Sequence, residues 1–184
     1  MFAILCTGPS MSQAVADSVR HLHVVAVNAC YELAPWADAL AANDTAWWSN
    51  NPQAQQFKGR KFSSNVIRGV ERITDDGRVR SEHCSGVVGL EVAKHLGATR
   101  ILLLGVDFHG SHYFGDYTGR LRNTTDLRRK HHAKQFAEWG KTNKGIEVLN
   151  CTEGSELKCF PMARLDEVLS ASMVEPPLHR AGAA

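Results

Sequence analysis

Apolar residues in this chain fall into short unbroken runs that alternate with longer stretches of helical periodicity. Phe2 to Cys6, His23 to Val27, Ala37 to Ala42, Ile101 to Leu104 and Ile146 to Leu149 read as strands. Helices are expected over Ser12 to Leu22, Gly86 to Leu96, Thr125 to Trp139 and Ala163 to Ser170, with Gly97 and Gly140 as the residues just past the second and third. Such alternation predicts an α/β fold whose mainly parallel sheet is covered by helices on both faces. Residues 43–81 are less regular. Asn50-Asn51-Pro52 and Asp75-Asp76-Gly77 are turn signals, and Val66 to Ile73 reads as one strand of a small hairpin ending at the second. Pro176-Pro177 and the small residues after them predict a flexible tail, giving one domain over 1–174 and a tail over 175–184.

With 184 residues and 43% hydrophobic content, the chain can bury a full core without disulfides or metal. Its five cysteines show no C-x-x-C spacing, so neither a disulfide framework nor a zinc site is expected, and a reducing cytoplasm is the natural setting. The first apolar run is too short for a signal peptide and lacks a basic leader, and no stretch approaches the length of a membrane span.

Two strand ends carry the candidate chemistry. The first run stops on Thr7-Gly8-Pro9-Ser10, where Gly8 permits unusual backbone angles, Pro9 fixes φ, Ser10 suits a helix N-cap, and free backbone N–H groups would attract phosphate. An ordinary turn is the alternative. The run Ile101 to Leu104 stops on Gly105-Val106-Asp107-Phe108 and a polar loop reaching His112. Ligands of open parallel sheets bind beyond the carboxyl ends of the strands, so a site is expected where these two ends meet. Asp107 would hold a ribose hydroxyl or cap a local turn, and His112 would act as a general base or sit as a loop histidine. His109 has the same two readings, phosphate contact or loop.

Trp36, Trp47 and Trp48 either stack a base or sugar or pack the core, and Asp44 is the polar member of that segment placed to face a cleft. Arg120, Arg122, Arg128, Arg129, Lys130, His131, His132 and Lys134 form the concentrated basic patch of a chain whose formal net charge is +2. That patch forms a lid for an anionic ligand or a solvated helix face. Nucleic acid is a third reading, raised by the patch alone. His131 and His132, adjacent on a helix, are expected to point to different faces, and no metal motif is present.

Taken in order, these pieces resemble the bacterial sialyltransferases that use CMP-sialic acid (glycosyltransferase family 42) and related Rossmann-like nucleotide-binding domains. Thr7-Gly8-Pro9-Ser10 is similar to the family's nucleotide loop, and Asn28 after Val27 is similar to its strand-end asparagine. Ser85-Gly86 with the following helix, and Gly105-Val106-Asp107-Phe108, resemble its serine-glycine helix and Asp-Phe strand end. Ser111-His112-Tyr113-Phe114-Gly115 resembles the segment that carries the family's proposed catalytic histidine. The likeness covers residues 2–30 and 84–162. It departs after Asp107-Phe108, where the stretch that would hold two leaving-group tyrosines is shortened, so that Tyr113 and Tyr117 cannot be matched to them.

The resemblance implies a transferase that binds a CMP-type nucleotide or nucleotide-sugar as donor, with no further cofactor, and passes the attached group to an acceptor hydroxyl. His112 would take the acceptor's proton. Thr7, Gly8, Pro9, Ser10, Asn28, Ser85, Gly86, Asp107 and Phe108 would form the nucleotide site, and Arg120 or Arg122 would meet the leaving phosphate. Two alternatives stay open, a nucleotide-binding sensor or sequestering protein without turnover and a nucleic-acid-modifying transferase. The acceptor, the transferred group and any homo-oligomer are not specified by the residues.

Overall fold

The computed structural model describes residues 1–74 and 82–174, with the side chains of 172–174 omitted. Seven strands form one sheet: β1 (Phe2–Leu5), β2 (His23–Val27), β3 (Ala39–Ala41), β4 (Arg60–Ser63), β5 (Glu71–Arg72), β6 (Arg100–Leu104) and β7 (Glu147–Asn150). Their spatial order is β5-β4-β3-β2-β1-β6-β7, and every neighbouring pair is parallel. The connections include six helices: α1 (Gln13–Ser18), α2 (Cys30–Leu33), α3 (Thr45–Asn50), α4 (Ser85–His95), α5 (Asp126–Thr142) and α6 (Leu165–Val174).

Alternation along each strand separates two cores. Phe2, Ile4, Val25, Val27, Ile101 and Leu103 pack with Val88 and Val92 of α4 and Phe136 and Trp139 of α5. On the opposite face, Ala3, Leu5, Val24, Ala26, Leu40 and Leu104 pack with Ala16 of α1, Tyr31 of α2 and Trp47 and Trp48 of α3, while Val168 of α6 covers Leu102 and Leu149. Strands buried on both faces read as the continuous apolar runs seen in the sequence. Chain order reverses on either side of β1, which has β2 on one side and β6 on the other, and the crevice beyond that point is where such sheets bind ligands.

Three expectations are corrected. Residues 66–73 form no hairpin: β5 is two residues long and runs parallel to β4, pairing Phe62 with Glu71 and Ser63 with Arg72. The N-cap of α1 is Ser12, whose hydroxyl accepts from the Val15 N–H, and not Ser10. Gly140 lies inside α5, and its lack of a side chain makes room for Phe160, whose Cε1 would lie 2.8 Å from an added Cβ. Of the two readings of the tryptophans, core packing holds for Trp47 and Trp48, which are 2% and 4% exposed. Gly97 does end α4 as expected, with φ +88° and a bond from the Ala98 N–H back to the Ala93 carbonyl. The Asp75-Asp76-Gly77 turn and the tail from 175 lie outside the described residues. Among the described residues, no helix is long and apolar enough to cross a membrane.

Candidate active site

Beyond the carboxyl ends of β1, β2 and β6 opens a cleft of about 540 Å³. Its floor and walls bring together Thr7, Gly8, Asn28, Ser85, Gly86, Asp107, Phe108, His112 and Arg122, which are far apart in sequence. Pro9, Ser10 and Arg120 are not on its lining. Asp44 and His109 are, and so are both His131 and His132, which correct the expectation that the two histidines diverge; their ring centroids are 6.4 Å apart.

The Gly8-Pro9-Ser10 turn is tied to the end of β6 and not left open for a phosphate. Gly8 N–H donates to the Gly105 carbonyl (2.9 Å), while Asp107 accepts from the Ser10 N–H (3.1 Å) at one carboxylate oxygen and from the Ser10 hydroxyl (2.9 Å) at the other. Gly8 is required for room and not for backbone angle: a Cβ there would collide with the Asp107 carboxylate and stand 2.6 Å from the Gly105 carbonyl. Asp107 itself is 2% exposed and is backed by the loop after β7, where Thr152 and Ser155 take the Val106 N–H and carbonyl and Glu156 N–H donates to the Asp107 carbonyl (2.8 Å).

Two strand ends hold left-handed backbone at residues other than glycine, Asn28 at φ +49° and Phe108 at φ +63°. A bulky residue in that region is an outlier held by its surroundings, and such strain clusters at binding sites. Phe108 is held edge-on against Phe136 of α5, with ring centroids 5.7 Å apart. Asn28 N–H donates to the Ala41 carbonyl, while its side-chain Oδ1 is buried on the cleft wall without a partner among the described residues. An unpaired buried carbonyl costs about 1–3 kcal/mol, so it marks a place for a ligand N–H or O–H.

His112 is half-buried. Its Nδ1 lies 2.9 Å from Thr7 Oγ1, its ring stacks on Phe114 (5.0 Å, 6°), and the Tyr117 ring meets it edge-on at 4.6 Å. Burial pushes its pKa below the usual 6.5, outweighing a hydrogen bond to the Thr7 backbone and the Asp116 charge, which raise it, while Arg129 adds to the lowering. At neutral pH the imidazole is uncharged and able to accept a proton. Tyr117 lines the cleft, and burial pushes the pKa of its hydroxyl up to about 12 against the opposing pull of a hydrogen bond to the Trp47 side chain. Tyr113 turns the other way and donates to the Ala29 carbonyl (3.0 Å).

The opposite wall belongs to α5. Arg129 is committed to Asp126 and to the Gly110 carbonyl, which fixes the 109–112 loop to the helix. Arg122 and Arg128 line the cleft with no ion-pair partner among the described residues, leaving their charge to the cleft. His132 adds none at neutral pH, since burial first, then Arg128 and His131, lower its pKa to about 4. Among the described residues, no group of three or more His, Cys, Asp or Glu side chains is placed to hold a metal ion.

No family model matches the sequence, and a search of curated proteins gives no match, but solved structures do. The MAf glycosyltransferase from Magnetospirillum magneticum AMB-1 superposes with a TM-score of 0.62 at 13% identity, over 89% of this chain and 33% of that one. Sialyltransferase CstII from Campylobacter jejuni, in complex with the substrate analogue cytidine-5'-monophosphate, superposes at 0.55 with 20% identity, over 88% and 83% of the two chains. A complex of sialyltransferase CST-II with trisaccharide acceptor and CMP gives 0.55 at 18% identity. The fold is that of these glycosyltransferases. At such identities the likeness is one of fold, and this chain spans about a third of the MAf protein.

Within this fold the sequence reading missed Asn43. Its N–H donates to Ser85 Oγ (3.0 Å), its Nδ2 to the His83 carbonyl (2.7 Å), and its Oδ1 accepts from the Ser64 N–H (3.0 Å). It locks the ends of β3 and β4 to the start of α4. Ser85, expected to hold nucleotide, spends its hydroxyl on this lock, and Gly86 leaves space for Phe136, whose Cζ would stand 2.8 Å from an added Cβ. Asn43→Ala removes the bonds to the buried Ser64 N–H and to the His83 carbonyl and is expected to destabilise the protein by about 2–3 kcal/mol. A urea unfolding curve with an unchanged midpoint would count against that role.

Proposed function

We propose that this chain is a glycosyltransferase-like transferase that binds a CMP-type nucleotide-sugar in the cleft and transfers the sugar to an acceptor hydroxyl. The observation that carries this reading is the convergence of Gly8, Asn28, Ser85, Asp107 and His112 on one cleft at the switch point of a sheet shared with a CMP-bound sialyltransferase.

The donor lies over the strand-end turns that carry Gly8 and Gly105, and a ligand hydroxyl or amino group satisfies Asn28 Oδ1. Asp107 and Ser10 hold the two loops in register beneath it. The acceptor oxygen attacks the anomeric carbon, the bond from that carbon to the phosphate oxygen breaks, and CMP departs with the electron pair. His112 takes the acceptor's proton, and Arg122 and Arg128 offset charge on the departing phosphate. Five free thiols suit the reducing cytoplasm in which we place this reaction.

Release of CMP from a CMP-linked sugar, measured with and without a glycan acceptor, tests the reaction. Acceptor-dependent release supports it, whereas CMP binding with no release from any donor points to the nucleotide-binding protein without turnover. Asn28→Ala is expected to weaken CMP binding by about 1 kcal/mol, roughly fivefold, while the fold survives. Calorimetry showing equal affinity would remove Asn28 from the nucleotide site.

A further inference from the structure

A histidine that accepts a proton must present a bare nitrogen, so which ring nitrogen carries hydrogen decides whether His112 is a base at all. The two nitrogens of His112 have different surroundings. Nδ1 stands 2.9 Å from Thr7 Oγ1, and Nε2 has no hydrogen-bond partner among the described residues. With Thr7 Oγ1 as acceptor, Nδ1 carries the proton and Nε2 is bare; with Thr7 Oγ1 as donor, Nε2 carries it and the ring offers the cleft no base.

Thr7 is itself rigidly placed. It is 8% exposed, it lies two residues past the end of β1, and its carbonyl accepts from the Tyr113 N–H (3.0 Å), which seats the histidine loop on the strand end. The loop closes on itself through paired bonds between His112 and Gly115. With Phe114 stacked on one face of the imidazole and Tyr117 against it edge-on, the ring has little freedom to turn over.

We infer that Thr7 is the positioning residue of the candidate base: it accepts the Nδ1 proton of His112, fixes that tautomer, and leaves Nε2 bare toward the acceptor. This rests on the transferase reading of the cleft and assigns Thr7 to the histidine, not to the nucleotide. A general base contributes only in the correct tautomer, so a hydroxyl that sets it acts on the chemical step and not on donor binding.

The tautomer can be read without turnover, from ¹⁵N spectra of the protein labelled at histidine ring nitrogens. Above the pKa of His112, the expected spectrum shows Nδ1 protonated and Nε2 bare. Thr7→Val should mix the tautomers and cut kcat by at least about 10-fold, part of the roughly 10²–10⁴-fold a positioned base supplies, with KM for the donor within about twofold. Thr7→Ser, which keeps the hydroxyl, should restore both the spectrum and most of kcat. The acid limb of the pH–rate profile should also move to lower pH in Thr7→Val, because an acceptor for the charged ring is lost while Asp116 and Arg129 stay as they are. An Nε2-protonated ring in the unmutated protein overturns the inference, as does Thr7→Ser being as impaired as Thr7→Val. Should the unmutated protein release no CMP from any donor, the transferase reading falls while the spectrum still decides what Thr7 does to the ring.

Discussion

Replacing His112 by glutamine is expected to lower turnover by roughly 10²–10⁴-fold while CMP affinity stays nearly constant. The imidazole stands on the cleft wall with one nitrogen held by Thr7 and the other free, so what it offers is a proton acceptor and not a grip on the donor. Burial lowers its pKa below 6.5. The base must be uncharged to work, so kcat/KM should rise with pH through an apparent pKa below neutrality and be level by pH 7. An acid limb centred above neutrality, or a glutamine variant that chiefly loses CMP affinity, would make His112 a ligand contact.

Gly105→Ala should be the most damaging single methyl group in the site. Gly105 has φ +68°, which costs an alanine about 1–2 kcal/mol, and its added Cβ would press on the Cys6 backbone, with the carbonyl carbon 3.0 Å away. Backbone in the middle of a parallel sheet cannot move aside as a side-chain tip can. We expect a loss of about 3 kcal/mol or more, a large share of the 5–15 kcal/mol that holds a typical domain. Gly97→Ala is the control: φ is +88° but nothing lies within 4 Å of the new Cβ, so only the conformational cost of about 1–2 kcal/mol applies. Equal shifts in the denaturation midpoints of the two variants would show that crowding at Gly105 is not what the fold depends on.

The strand ends were legible because a strand buried on both faces announces itself as an apolar run that stops abruptly, as at Cys6, Val27 and Leu104. Strand β4 was missed because Arg60 and Lys61 break that pattern near the sheet's edge, and β5 was drawn too long and in a hairpin because its two exposed residues, Glu71 and Arg72, give no pattern that fixes its bounds or partner. The four-residue helix α2 and six-residue α3 are too short to show periodicity. Within the site, spacing led to Gly8, Asp107 and His112, but it assigned Ser10 to the wrong job. Ser10 and Ser12 are equally good caps on paper, and only the 97-residue return of the chain to Asp107 separates them. Asn43, Tyr117 and the Thr7–His112 pair share this property: each acts through partners distant in sequence or through a loop whose direction no local pattern encodes.

The central claim is that a CMP-type nucleotide occupies the crevice beyond β1, β2 and β6, and amide chemical-shift mapping during a CMP titration tests it most directly. The account predicts saturable shifts at Gly8, Asn28, Gly105 and Phe108, with Phe2, His23 and Gly97 at the other end of the sheet unmoved. Shifts confined to that far end, or none at millimolar CMP, would contradict it.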